Sequence, residues 1–135
     1  MKIFFTGGTG FVGSYLSKRL SESGHEIFIL TRSARKTGEL MPYASIVQGD
    51  PKRPGDWQQK ASECDAVINL AGSSIFTLWT QPARKSILDS RVLTTRNIVE
   101  ALSGSGRKPV LINASAVGYY GSRLDDVVLD EYSPP

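Results

Sequence analysis

Short apolar runs alternate with helix-period segments from the first residue onward. Lys2 to Thr6, Glu26 to Leu30, Ala44 to Gln48, Ala66 to Leu70 and Val110 to Asn113 are near-continuously apolar, rich in β-branched or aromatic side chains. Runs of this length and character read as strands of a parallel sheet covered on both faces. Between the first two, Val12, Leu16 and Leu20 recur every fourth residue over Phe11 to Ser23, and Gly24 offers a C-terminal cap. That pattern predicts a helix, and with its flanking strands a βαβ unit. From Pro82 to Ser103, Leu88, Val92, Thr95, Val99 and Leu102 follow 4-3-4-3 spacing behind a first-turn proline. One long helix lying across the sheet is expected there. Asp56 to Ser62, introduced by Pro51, Pro54 and Gly55, is a shorter helical candidate.

Five βα units in this order, with no internal repeat and no internal boundary, predict an α/β, doubly wound parallel sheet of strand order 3-2-1-4-5. Composition narrows the class further. At 135 residues the chain has room for one domain. Its 40% hydrophobic and 21% charged content excludes disorder, a coiled coil and a disulfide-stapled miniprotein. The net charge of +3 is spread along the chain without a dense basic run, so neither nucleic acid nor a membrane surface is an expected partner. Cys64, the single cysteine, excludes an internal disulfide and a thiolate metal site, and no metal is expected. No run approaches the roughly 18 apolar residues of a membrane span, and a cytoplasmic location is expected.

The strongest chemical signal is Thr6-Gly7-Gly8-Thr9-Gly10-Phe11-Val12-Gly13, set where the first strand gives way to the first helix. Glycines at 7, 10 and 13 permit a tight turn, close backbone approach to a pyrophosphate, and close helix-strand packing. The helix N-terminus supplies amide donors and a positive dipole end, so the diphosphate of a dinucleotide is the natural ligand and the fold is expected to be a Rossmann fold.

This spacing resembles the short-chain dehydrogenase/reductase superfamily, especially its extended, epimerase-like branch. Gly49-Asp50 after the third strand resembles the family's adenine-contacting acidic residue. Asn69-Leu70-Ala71-Gly72 resembles its N-x-A-G-type turn, and Asn113-Ala114-Ser115-Ala116-Val117-Gly118-Tyr119-Tyr120-Gly121 looks like the serine-bearing strand-five motif. With Trp79-Thr80, Ser90-Arg91-Val92 and Asp130-Glu131-Tyr132-Ser133-Pro134-Pro135, the subgroup most similar is that of sugar-nucleotide epimerase-like proteins. The resemblance covers the whole chain. It implies cofactor contacts from Gly7, Thr9, Gly10, Phe11, Val12, Gly13, Asp50, Leu70, Ala71, Gly72, Arg91 and Ala114. It also implies a nucleotide sugar or similar small carbonyl or alcohol substrate, and a homodimer in the full-length protein through the long helix.

Cofactor choice is argued at the end of the second strand. An NAD site usually sets a carboxylate there for the ribose 2′-hydroxyl, whereas this chain has Thr31-Arg32 with Arg35 and Lys36 close behind. Arg32 can grip a 2′-phosphate with a charge-assisted fork, so NADP rather than NAD is expected. The alternative for these cations is an ordinary solvated loop. Asp50 has a bland alternative of its own, since Asp50-Pro51 favours a turn.

Ser115 is the catalytic candidate, on the resemblance, as a hydrogen-bond partner of the reacting oxygen. The superfamily sets a Tyr-x-x-x-Lys pair beside it, and this chain contains none: four residues after Tyr119 and Tyr120 stand Arg123 and Leu124. Two functions therefore compete: the NADP-binding portion, residues 1–135, of an epimerase-like enzyme whose substrate region lies elsewhere, and a module that senses NADP(H) without turnover. Trp57, Phe76 and Trp79 are candidates for a substrate cleft, with core packing as the alternative, while His25 is expected to be structural and Cys64 partly buried. A fold of two complete dinucleotide-binding halves needs six strands, and five are legible here.

Overall fold

The computed structural model describes residues 1–33, 42–121 and 126–134. Arg35 and Lys36 fall outside the described residues, as does Arg123. In chain order the elements are β1 (Lys2–Thr6), α1 (Phe11–Glu22), β2 (Glu26–Thr31), β3 (Ser45–Gln48), α2 (Trp57–Ser62), β4 (Ala66–Asn69), α3 (Gln81–Ser103) and β5 (Val110–Asn113). A short 3₁₀ turn, Val117–Tyr120, follows β5. The sheet has the order β3-β2-β1-β4-β5, with every neighbouring pair parallel. This is the expected Rossmann-type arrangement, and β1 sits at its centre with its residues level with Glu26–Leu30 on one side and Ala66–Asn69 on the other.

Alternation along β1 sends Phe4 and Phe5 to opposite faces of the sheet, and both are fully buried. Phe4 belongs to a core with Phe28, Leu30, Trp57, Ala61, Cys64, Val67 and Ile98, so α2 and α3 cover that face. Phe5 lies on the other face with Ile3, Ile27, Ile29 and Ile68, against which Leu16 and Leu20 of α1 pack. Trp57 stacks on Phe4 at 6.2 Å and its indole N–H donates to the Arg53 carbonyl. It is a core residue and lines no cleft. Cys64 is completely rather than partly buried.

Among the described residues, α-helices follow β1, β3 and β4. Two expectations are corrected. The sheet is not covered evenly on both faces, because Val110 and Ile112 of β5 are 58% and 53% exposed. The periodicity of α3 is helical as expected, but its apolar stripe points outward: Leu88, Val92 and Val99 are exposed, while Ser90, Thr94, Asn97 and Ile98 are buried. The helix starts on Thr80, whose hydroxyl accepts the Ala83 N–H at 3.3 Å, with Pro82 in the first turn. Val12 of α1 is likewise exposed, leaving Leu16 and Leu20 to face the sheet.

At the N-terminal edge of the strands, Asp65 ties three segments together. Its carboxylate accepts the Lys2 N–H at 2.7 Å and the Arg107 guanidinium at 3.1 Å. The Lys2 backbone hydrogen bond, helped by the Arg107 charge, holds this carboxyl below the usual carboxylate range. His25 is at the same edge, its Nδ1 3.4 Å from the N-terminal amine, in keeping with a structural role. Because folding lowers the pKa of Asp65, its stabilisation is present when the unfolded carboxyl is ionised and fades as pH falls through the folded-state value. Asp65→Asn should therefore melt below the unsubstituted chain at pH 7. In a series of melts the gap should close as pH falls through and below the usual carboxylate range; a gap that stays constant would show that the charge is irrelevant.

Candidate functional site

The turn after β1 is built by exclusion of side chains. Gly7 has φ +73°, and a Cβ there would meet the Leu70 carbonyl carbon and oxygen at 2.6 Å and the Ala71 nitrogen at 2.7 Å. A side chain is thus barred both by conformation and by the backbone at the end of β4. The Gly10 N–H donates to the Gly7 carbonyl at 3.0 Å, and the Ser14 N–H to the Gly10 carbonyl at 2.9 Å, which starts α1. Gly13 lies beneath, where a Cβ would stand 2.4 Å from the Gly7 oxygen, so helix and turn touch through backbone alone. The N-cap of α1 is Gly10, with no capping side chain, and the first turn holds no acidic residue. The positive end of the helix is left without an anion from the protein.

A cleft of about 380 Å³ opens beside this turn at the C-terminal ends of the strands. Gly7, Thr9 and Gly10 form one wall; Thr31, Arg32 and Asp50, from the ends of β2 and β3, form another; Leu70, Ala71 and Gly72 form a third. These expected contact residues are brought together. Asp50 is also a turn residue, its carboxylate accepting the Lys52 N–H at 3.1 Å, so its two readings coexist in one geometry. Arg32 is exposed at the rim.

Other expected residues stand off the cleft lining. Phe11 is 94% exposed and Val12 is exposed beside it, while Gly13 is buried under the turn. Arg91 lies behind the Gly72–Ser73 segment: its Nη1 donates to the Ile87 carbonyl at 3.1 Å and the Ser73 carbonyl at 3.4 Å, and a Cβ on Gly72 would sit 3.2 Å from its Nη2. Ala114 continues the sheet by donating its N–H to the Asn69 carbonyl at 3.0 Å. Ser115 follows it, exposed, beyond the end of β5. Phe76 and Trp79 are exposed on the segment leading to α3. Tyr119 and Tyr120 pack edge to face at 5.2 Å.

Sequence reasoning missed α3 as a wall of the cleft. Ser86, Ser90 and Thr94 line it with Ser73, at the four-residue spacing of one helix face. Ser90 Oγ accepts the Ser73 N–H at 2.9 Å and donates to the Ile87 carbonyl at 2.8 Å. Thr94 Oγ1 is buried with no hydrogen-bond partner among the described residues, an arrangement that costs about 1–3 kcal/mol. Small hydroxyl residues repeating every fourth position were the available signal, hidden by the apolar stripe on the same helix.

Beneath the cleft runs a polar network. Thr6 Oγ1 donates to Asn69 Oδ1, which also accepts the Ala71 N–H at 3.2 Å, and Asn69 Nδ2 donates to Asn113 Oδ1 at 2.6 Å and to Thr95 Oγ1 at 3.3 Å. It joins the glycine turn, the β4 turn and the strand end leading to Ser115. Cys64 takes no part: burial pushes its thiol up to about 11, and its sulfur donates to the Lys60 carbonyl. Among the described residues no cluster of three or more His, Cys, Asp or Glu side chains could hold a metal, and no helix is long and apolar enough to cross a membrane.

Comparison with known proteins agrees with this geometry. The profile of the NAD dependent epimerase/dehydratase family matches residues 3–135. Among curated relatives, the epimerase family protein YfhF of Bacillus subtilis is 39% identical over 133 residues, covering 97% of this chain and 43% of its own. The crystal structure of human epimerase family protein SDR39U1 (isoform 2) with NADPH superimposes with a TM-score of 0.75 at 29% identity, over 99% of this chain and 42% of that one. MoeE5 in complex with UDP-glucose and NAD gives a TM-score of 0.78 at 27% identity, over 100% and 42%. The chain spans less than half the length of each of these relatives.

Two of the positive-φ glycines, Gly7 and Gly24, separate conformation from contact. Gly24 (φ +83°) has nothing within 4 Å of a built Cβ. Gly24→Ala should cost about 1 kcal/mol for its backbone conformation alone. Gly7→Ala should cost clearly more in urea denaturation, because the Leu70 backbone must also move. Equal costs would mean that the turn can shift freely away from β4.

Proposed function

The chain belongs to the NAD dependent epimerase/dehydratase family, and on that premise we propose that it is the NADP-binding Rossmann portion of an epimerase-like short-chain dehydrogenase/reductase. The substrate class is a nucleotide sugar or a related small carbonyl or alcohol compound. The observation that carries the cofactor choice is Arg32 at the rim of the cleft beside Thr31, where an NAD site has a carboxylate. The NADPH in the human relative and the UDP-glucose in MoeE5 support the two halves of the reading.

The cradle fits a dinucleotide. Gly7 and Gly10 let backbone approach a diphosphate, and the uncapped N-terminus of α1 offers amides to its charge. Arg32 grips the 2′-phosphate through two parallel N–H donors. Asp50 and the Leu70–Gly72 turn bind the adenosine half. A nicotinamide group, when bound, supplies hydride donation and acceptance. Ser115 then donates its hydroxyl to the substrate oxygen and polarises the bond at the reacting carbon. Ser115 follows β5, which the Asn69–Asn113 hydrogen bond ties to β4. The exposed stripe of Leu88, Val92 and Val99 on α3 supports pairing of two copies in the full-length protein. A cytoplasmic location belongs to the same reading.

A second reading, an NADP(H) sensor without turnover, is favoured by one feature: no Tyr-x-x-x-Lys occurs in the chain. Within the superfamily's chemistry that pair moves the proton, and Ser115 alone orients but does not transfer it.

Calorimetric titration should show tighter binding of NADPH than of NADH. Arg32→Asp should lower NADPH affinity by at least 10-fold, on the order of 1.4 kcal/mol or more, while sparing or improving NADH; equal loss of both would remove Arg32 from the 2′-phosphate role. A turnover assay on the 135-residue chain with NADPH and sugar nucleotides should find binding without oxidoreduction, and robust hydride transfer would overturn the view that its acid/base site is incomplete.

A further inference from the structure

We propose that Thr94 reads the polar edge of the cofactor's purine ring, which makes α3 a specificity-determining wall of the nucleotide cleft; the inference rests on the dinucleotide reading above.

The side of α3 toward the cleft presents Ser86, Ser90 and Thr94, with the buried Asn97 following along the helix, about one turn apart. Protein groups engage three of them. Ser86 Oγ is 3.2 Å from Ser73 Oγ, Ser90 bonds to Ser73 and Ile87, and Asn97 Nδ2 donates to the Pro51 carbonyl at 2.9 Å. Thr94 breaks the series. It is fully buried, it lines the cleft, and among the described residues its Oγ1 has no partner. A threonine inside a helix ordinarily turns its hydroxyl onto a carbonyl in the preceding turn, as Ser90 does here. Thr94 leaves that bond unmade and keeps both a donor and an acceptor buried in a residue of the cleft lining.

Its neighbours identify what belongs opposite. Ser90, one turn before, fastens α3 to Ser73; Asn97, one turn after, fastens it to Pro51. Thr94 therefore stands between the Leu70–Ser73 segment and the Asp50–Pro51 segment. Leu30, which belongs to the sheet face that α3 covers, and Pro51 are apolar members of the cleft lining. The anion-seeking features lie elsewhere, at the Gly7–Gly10 turn and at Arg32. A phosphate beside Thr94 would find one donor, and a ribose would set its hydroxyls against leucine and proline. A flat heteroaromatic ring with nitrogen donors and acceptors along one edge satisfies both the apolar walls and the single hydroxyl.

Thr94→Val keeps the side-chain shape and deletes the hydroxyl. Without nucleotide, the valine variant should melt at or above the unsubstituted chain, because no existing hydrogen bond is lost; a marked fall would show that Oγ1 already has a protein partner and would overturn the proposal. In calorimetric titration the variant should bind NADPH about 3- to 10-fold more weakly, and adenosine 2′,5′-bisphosphate, which carries the purine without nicotinamide, by the same factor. Thr94→Ser should restore both. Unchanged NADPH affinity refutes the role of Thr94 and leaves the cofactor reading standing. Failure of the unsubstituted chain to bind NADPH or NADH at all refutes the cofactor reading, and this inference with it.

Discussion

The C-terminal end of the sheet is organised by one close approach: the backbone of Gly7 against the backbone of Leu70. β1 is the central strand, so the chain leaving it must climb past β4 to begin α1. It does so with no room for a single methyl group, since a Cβ on Gly7 would lie 2.6 Å from Leu70 and one on Gly13 would lie 2.4 Å from Gly7. That proximity lets Thr6 reach Asn69, and Asn69 in turn reach Ala71, Thr95 and Asn113. The side-chain network and the cleft above it both follow from the approach. Buried polar networks of this kind are costly when incompletely paired, which makes the geometry of the three strand ends mutually dependent.

The long helix α3 answers a conflict between two demands. Its C-terminal half must cover a hydrophobic sheet face, and Ile98 and Leu102 do so beside Val67 and Phe4. Its N-terminal half borders a polar cleft, where bulky apolar groups would fill the space, and there the inward positions are Ser86, Ser90 and Thr94. The apolar residues that remain, Leu88, Val92 and Val99, face outward. A shallow groove of about 660 Å³ runs along that outer side, between Val92, Thr95, Val99 and their charged neighbours, away from the glycine turn.

Much of this was legible in the amino-acid order. Near-continuous apolar strands, the Gly7-Gly10-Gly13 spacing and Gly24 after the first helix each have a local physical cause, and they yield the strand order and the first wall of the cleft. The positions of Thr31, Arg32, Asp50 and Leu70–Gly72 follow because strand ends in a parallel sheet open on one side. What resisted was orientation. The 4-3-4-3 repeat of α3 reports a helix but not which stripe faces inward, because a helix beside a cleft inverts the usual preference for apolar burial. Trp57 was ambiguous for a related reason: an aromatic after a turn reads equally as cleft wall or core, and only the stacking on Phe4 decides between them. The exposed strand β5 was misjudged because strand composition reports that a face is suited to burial, not what buries it.

Cys64 gives the fold a property unrelated to its ligand. The thiol is held at the heart of the Phe4–Trp57–Ile98 cluster, fully shielded and kept protonated by its surroundings. A soluble disulfide reagent can meet it only after this core has opened, and no second cysteine offers an alternative target. Its labelling rate is therefore a clock for opening of that core, and protection by an added nucleotide would be read directly as slower ticking.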